Sequence, residues 1–128
     1  AGLQLAGEAR FGPWEAEWGR AAARLLLNDG AAFDAVICQN DVLARGCIEE
    51  LERNGCRVPQ DVAVIGHDNS PDYVSYAHTL LTSIDDNNEM LGRQAALCLL
   101  DAIAGHPHHG VERVPVKLIQ RESTLPLD

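Results

Sequence analysis

The sequence has few aromatic and basic residues and no long apolar run. Aromatic residues make up 5% of its 128 residues, and no uninterrupted apolar run approaches the roughly 20 residues that a membrane-spanning helix needs. Ten Lys and Arg stand against 19 Asp and Glu, a formal net charge of −9. Because a field of that sign repels phosphate, we do not expect these residues to bind nucleic acid themselves. The length and the 46% hydrophobic content are typical of one soluble domain with a single core.

The chain also lacks paired cysteine motifs. Its four cysteines form no C-x-x-C pair and have no His at ligand spacing, so we expect no metal site and no cofactor. Scattered thiols are typical of a reducing compartment, which predicts a cytoplasmic location. The one His-rich tract, residues 105–110 (GHPHHG), is interrupted by Gly and Pro. It predicts a surface loop with incidental histidines, with a metal-ligand cluster as the alternative.

Strand and helix patterns alternate along the chain. Apolar residues recur at three- and four-residue steps over 14–28, 42–54 and 87–104, which predicts three helices. Short apolar runs predict strands over 3–6, 33–38, 62–66, 80–84 and 114–119, with a short helix from 71 to about 77. The run 62–66 is continuously apolar, which predicts a strand covered on both faces. The order predicts an α/β fold, with three α/β/α layers and a mostly parallel sheet.

Two loops that follow predicted strands are unusually polar. They are Gln39–Asp41 and His67–Asn69, and in an open parallel sheet ligands bind outside the carboxyl ends of the strands. Asn40 offers a donor and an acceptor whereas ionised Asp68 only accepts, a combination that suits hydroxyl groups. The alternative is that Asn40, Asp41 and Asp68 only cap the helices that follow.

Other residues allow further interpretations. Trp14 offers a flat apolar face to a sugar or base, and the alternative is a core or interface residue. His67 beside Asp68 suggests a general base, but no nucleophile elbow and no phosphate-binding glycine loop accompanies the pair, so we expect no enzyme. A phosphoacceptor receiver domain needs an acidic pair after the first strand, where only Glu8 occurs.

Five segments resemble, in order, motifs of the lactose/galactose repressor (LacI/GalR) family. The family patterns are FDAIxCxNDxxAxG, xVPxDVxVxGxD, LTTI, LGxxA and RxST. The matching segments are FDAVICQNDVLARG at 33–46, RVPQDVAVIGHD at 57–68, LTSI at 81–84, LGRQAA at 91–96 and REST at 121–124. The resemblance runs from about Leu5 to Thr124 and implies one lobe of a periplasmic-binding-protein-like (type I) fold. In that fold a cleft between two lobes takes a small effector, usually a sugar or nucleoside-type metabolite.

The resemblance also implies a set of effector-binding residues. Asn40 and Asp68 match the effector-contacting Asn and Asp of the family, which favours ligand contact over capping alone. Trp14 falls at the aromatic position that stacks on the ligand, and Asp86 lies near a polar contact that is often Gln. His67 departs from the family, which usually has an aromatic residue before the Asp.

The same resemblance implies that residues 1–128 are the C-terminal lobe of an effector-binding and dimerisation domain. The first residue is Ala rather than Met, so we expect the chain to be part of a longer protein. The DNA-binding helix-turn-helix domain would lie outside this chain, so operator DNA would be contacted only through that missing N-terminal domain. Helix 87–104 is expected to pack on the missing first lobe or on a partner chain, and a homodimer is expected.

The predicted function is that of an effector-sensing and dimerisation fragment of a LacI/GalR-type DNA-binding transcriptional regulator. Its effector would be a small metabolite, with a sugar favoured, and it would have no membrane partner. The alternative is an extracytoplasmic sugar-binding protein of a transport system with the same fold. The unpaired cysteines and the Arg121–Thr124 ending favour the regulator.

Overall fold

Strands and helices alternate in the computed structural model, which describes residues 2, 4–30, 32–75 and 78–124. The helices are α1 (Ala16–Asn28), α2 (Asp41–Arg53), α3 (Pro71–Val74) and α4 (Asn88–Ile103). The strands are β1 (Ala35–Ile37), β2 (Ala63–His67), β3 (Thr82–Asp85) and β4 (Lys117–Ile119). The predicted α/β class is confirmed.

The strands form one sheet in the order β1-β2-β3-β4. The first three are parallel, with Ile37 beside Ile65 and Gly66 beside Ser83, and β4 pairs antiparallel with β3. The prediction of a mostly parallel sheet is therefore confirmed. Because β1, β2 and β3 run in one direction, their carboxyl ends meet at one edge of the sheet.

The core lies between α2 and one face of the sheet. Ala44 and Leu51 of α2 are fully buried, as are Val64 and Leu81 on the sheet side. These contacts remove apolar surface from water, which stabilises the fold by roughly 25 cal/mol per Å² buried. Helix α1 in turn packs against α2 and adds buried Ala23 to the same cluster.

Two glycines allow α1 and α2 to approach closely. A Cβ at Gly19 of α1 would collide with the Leu43 carbonyl oxygen of α2, and a Cβ at Gly46 of α2 would collide with the Ala16 carbonyl oxygen of α1. The obstacle is backbone in both cases, so a side chain could not be accommodated by a change of rotamer. The pair of glycines therefore sets the distance between the helices.

The second face of the sheet is less covered than the continuous apolar run predicted. In β2, Val64 and Gly66 are buried whereas Ala63, Ile65 and His67 are half-buried. Ile37, which pairs with Ile65, is 78% exposed. The reason is that α2 covers the other face and α4 buries none of its residues in this chain.

Three predicted segments differ from the structure. The predicted strand 3–6 includes Leu3, which lies outside the described residues, and Gln4–Ala6 form no strand because β1 pairs only with β2 in the described chain. The short helix after β2 ends at Val74, with Tyr76 and Ala77 outside the described residues. The last strand begins at Lys117, since Pro115 has no N–H to donate to a sheet.

Over residues 2, 4–30, 32–75 and 78–124, no helix is both long and apolar enough to cross a bilayer.

Candidate functional site

Three predicted site residues follow three neighbouring parallel strands. Asn40 comes after β1, Asp68 directly after β2, and Asp86 directly after β3. The strands are adjacent and parallel, so the three residues lie at the same carboxyl edge of the sheet. That edge is where α/β sheets bind ligands.

Asn40 caps helix α2. Its backbone is extended and its Oδ1 accepts a hydrogen bond of 2.8 Å from the Leu43 N–H, which satisfies an otherwise unpaired donor of the first helical turn. The residue is 3% exposed. The capping interpretation is thus confirmed for the side-chain oxygen. Within the described residues the amide nitrogen of Asn40 donates no hydrogen bond.

Asp41 is a structural carboxylate rather than a cap. It is 0% exposed, its Oδ1 accepts a hydrogen bond from the Ser83 hydroxyl at 2.6 Å, and its Oδ2 accepts one from the Ser70 N–H at 2.7 Å. Desolvation by burial raises the pKa of Asp41, and the two hydrogen bonds partly oppose that shift. A Cβ at Gly66 would collide with Oδ1, so glycine in β2 makes room for this carboxylate.

His67, Asp68 and Asp86 form a polar cluster on the outer side of the same edge. The His67 ring lies between two carboxylates, with Nδ1 3.3 Å from Asp68 Oδ1 and Nε2 3.2 Å from Asp86 Oδ1. Asp68 has a φ of 98°, a conformation that residues other than glycine rarely adopt. Its N–H donates to the Ile84 carbonyl at 2.9 Å, which helps to hold this backbone in place. The sequence indicated His67 only as a departure from the family and as a possible base.

Asn69, Asp85 and Arg121 form a group of hydrogen-bonded side chains beside the cluster. Asn69 donates to Asp85 at 3.1 Å and accepts from the Arg121 guanidinium at 2.7 Å. Arg121 also donates to the Leu81 carbonyl at 2.7 Å. The Asn87 N–H, and next the Asn69 amide, hold the pKa of Asp85 below its usual range. No local sequence signal predicts this group, because Arg121 and Asn69 meet only through the sheet.

Trp14 lies apart from these hydrogen bonds. It precedes α1 and is 72% exposed, which excludes the core alternative. Its indole forms no hydrogen bond to the three loops in the described part of the chain, so its predicted role stays a prediction. Trp18, one helical turn further on, is half-buried, and its ring lies close to Gly12.

A groove runs between residues 5–10, α1 and β1. Its walls are mostly apolar and include Trp18, Leu26, Phe33 and Ile37. None of the four predicted effector-binding residues lines it. The groove reaches the carboxyl edge at Gln39, the residue before Asn40.

The chain matches the model of one protein family. Residues 1–124 match the family described as "Periplasmic binding protein-like domain". This match covers nearly the whole chain.

Curated relatives are transcriptional regulators about three times as long as the chain. The chain is 35% identical over 114 residues to the HTH-type transcriptional regulator CelR of Thermobifida fusca, covering 88% of this chain and 33% of that protein. It is 32% identical over 116 residues to the lactose operon repressor of Escherichia coli, covering 91% of this chain and 32% of that protein. The chain thus spans about a third of the length of these relatives.

Solved structures agree with this likeness. The lac repressor dimer bound to operator and the anti-inducer ONPF matches with a TM-score of 0.83 and 32% identity, over 89% of this chain and 40% of that one. The CelR–cellobiose complex matches with a TM-score of 0.76 and 35% identity, over 88% of this chain and 34% of that one.

Proposed function

This chain belongs to the periplasmic binding protein-like domain family in its LacI-type form, and from that premise we propose that it is the effector-sensing part of a DNA-binding transcriptional regulator. One observation carries the proposal. Asn40, Asp68 and Asp86 follow three adjacent parallel strands of one sheet, the arrangement that binds ligands in such folds.

The effector would be a neutral, hydroxyl-rich metabolite such as a sugar. The carboxylates of Asp68 and Asp86 can accept hydrogen bonds from ligand hydroxyls, and the amide nitrogen of Asn40 can donate a hydrogen bond to a ligand oxygen. Two carboxylates at one edge repel an anion and strengthen hydrogen bonds to neutral hydroxyls. CelR is similar to this chain in sequence and in structure, and its solved complex with cellobiose supports a sugar as the ligand.

Trp14 would stack on the ligand. Its exposed indole supports this role, since a flat apolar ring suits the C–H face of a sugar. The side chain would then complete a site that otherwise offers only polar groups.

Regulation would depend on segments beyond this chain's sheet. Effector binding would close a cleft between two lobes and shift the orientation of DNA-reading heads. Operator DNA would be contacted outside this chain, in keeping with its net charge of −9.

Helix α4, whose large apolar residues are 46–74% exposed, would pack on the first lobe or on a partner chain in a homodimer. The four free cysteines support a cytoplasmic location.

A thermal-shift screen tests the proposed ligand class. The longest natural polypeptide that contains this chain is heated with neutral mono- and disaccharides, cellobiose among them, and with the phosphorylated forms of the same sugars. We expect at least one neutral sugar to raise the melting temperature in a dose-dependent way, since a ligand that binds only the folded state stabilises it. The phosphorylated form should shift the melting temperature less. Stabilisation by phosphorylated sugars alone would contradict the proposal.

A further inference from the structure

We propose that α4 and the loop after it carry a zinc site formed by Cys98, His108 and Glu112. The Cys98 sulfur, a ring nitrogen of His108 and a carboxylate oxygen of Glu112 all lie within 4.8 Å of one another. His108 Nδ1 lies 3.1 Å from Glu112 Oε1. The three donor atoms thus converge on one point of the surface.

The donor set is that of zinc. Thiolate, imidazole and carboxylate together are the groups that Zn²⁺ binds, whereas Mg²⁺ and Ca²⁺ select oxygen donors alone. Zinc bonds of about 2.0–2.3 Å place tetrahedral ligand atoms roughly 3.2–3.8 Å apart. On binding, the side chains would rotate to bring the three atoms to that spacing, and water or a further ligand would fill the fourth position.

Neighbouring side chains already orient two of the three ligands. Asp101 Oδ2 lies 2.8 Å from His108 Nε2, so an Nε2–H that donates to Asp101 leaves the lone pair on Nδ1, the nitrogen beside Glu112. The Gln94 amide donates to the second oxygen of Glu112 at 2.8 Å. Carboxylates and amides that hold the outer atoms of ligands in this way are usual around protein zinc.

Helix α4 and the turn after it explain why these residues meet. Gln94, Cys98 and Asp101 are spaced by four and three residues, so they share one face of the helix. The chain reverses at Gly105, whose φ is 90°. The His106 N–H then donates to the Asp101 carbonyl at 2.9 Å, which closes the turn.

A surface pocket lined by Cys98 and Glu112, but not by His108, lies beside the site. Its lining includes Leu91 and Ala95 of α4, the thiol-bearing Cys98, and Glu112 and Val114 from the returning chain. Apolar walls around a half-buried thiol limit access of water to a bound ion. The site would fasten residues 105–112 to α4, the helix with the largest unpartnered apolar surface.

This site departs from the sequence expectation that residues 105–110 are a loop with incidental histidines. Only His108 of that tract reaches Cys98, over a spacing of ten residues that matches no familiar zinc motif. Another cluster of this kind in the described part of the chain, His67, Asp68 and Asp86, holds no thiol and belongs to the proposed effector site.

Cobalt(II) titration of the reduced 128-residue chain tests the proposal. A cobalt–thiolate charge-transfer band should appear in the near ultraviolet, saturate at about one ion per chain and disappear when Zn²⁺ displaces the cobalt. Cys98→Ser should abolish the band, and His108→Asn and Glu112→Gln should weaken binding. Asp101→Asn, which alters only the positioning of His108, should lower affinity by about 10- to 100-fold. Cys56→Ser and His106→Asn are the matched controls and should leave the titration unchanged.

A second readout covers the case in which Cys98→Ser fails to fold. Zn²⁺ should protect Cys98 of the unaltered chain from alkylation by iodoacetamide while half-buried Cys56 continues to react. Three results would overturn the site: no thiolate band in the unaltered chain, equal protection of Cys56 and Cys98, or an equal loss of binding in His106→Asn and His108→Asn.

Discussion

The Ser83 hydroxyl donates a hydrogen bond of 2.6 Å to the buried carboxylate of Asp41, a residue 42 positions earlier in the chain. The same carboxylate accepts the Ser70 N–H. Asp41 thereby ties the start of α2 to β3 and to the loop after β2. The acids of this edge divide into two groups: Asp41 holds the loops together from inside, and Asp68 and Asp86 remain accessible for a ligand.

Removal of the Asp41 carboxylate should destabilise the fold. Asp41→Ala leaves the Ser83 hydroxyl and the Ser70 N–H without their acceptor, and each unsatisfied buried group costs about 1–3 kcal/mol. We expect a lower free energy of unfolding in urea denaturation. Asp34→Ala removes an exposed acid that pairs with no side chain among the described residues, and it should change the value by no more than about 0.5 kcal/mol. Equal effects of the two substitutions would show that Asp41 does not hold the loops.

Replacement of glycine by alanine should have opposite effects on stability in α2, which packs closely on α1, and in α4. Gly46→Ala places a Cβ against the Ala16 backbone, whose carbonyl carbon would lie at 2.8 Å, and overpacking of this kind costs about 1–3 kcal/mol. Gly92→Ala in α4 meets nothing within 4 Å, so the higher helix propensity of alanine should stabilise the chain by up to about 1 kcal/mol. Thermal unfolding of both variants measures the contrast. A stable Gly46→Ala would contradict the packing described for α1 and α2.

An exposed ion pair predicts a pH dependence. Hydrogen bonds from the Arg57 guanidinium, and next from the Arg57 N–H, lower the pKa of Asp61 from 3.8 to about 2. A depressed pKa in the folded state contributes stability that is present above pH 3.8 and is lost as the pH falls through about 2. The difference in free energy of unfolding between the unaltered chain and Asp61→Asn should therefore shrink below about pH 4. Urea titrations at successive pH values measure it, and a difference that stays constant would contradict the pairing.

The charge of the chain predicts weak contact with DNA. With a net charge of −9, these residues should not retard duplex DNA in a gel at physiological salt. A longer polypeptide that includes the expected N-terminal domain should retard its operator. Retardation by the 128-residue chain alone would contradict the assignment of DNA binding to another segment.

Local signals predicted most of the fold. The apolar spacing predicted α1 and α2 because residues three or four apart in sequence lie on the same face of a helix. Asn40 was predicted as a cap because Asn favours that position. The strand 3–6 was not confirmed for the described residues Gln4–Ala6, since a strand needs a partner that local sequence does not reveal.

The site could be predicted only in part. The family resemblance indicated Asn40, Asp68 and Asp86, and the sheet brings the three loops to one edge. The position of His67 between two acids depends on the register of β2 and β3, which no local pattern specifies. The zinc ligands likewise meet through the turn after α4 rather than through a spacing motif.

Isothermal titration calorimetry of a neutral sugar tests the central claim most directly. The sugar is the best stabiliser from the thermal-shift screen, and the protein is the longest natural polypeptide that contains this chain. Asp68→Asn and Asp86→Asn should each weaken binding by at least about tenfold, because each removes a charged acceptor for ligand hydroxyls, a loss of about 1.5–3 kcal/mol. Glu89→Gln, which alters an exposed acid on α4, should bind as tightly as the unaltered protein. Unchanged affinity in both aspartate variants would contradict an effector site at the carboxyl edge of the sheet.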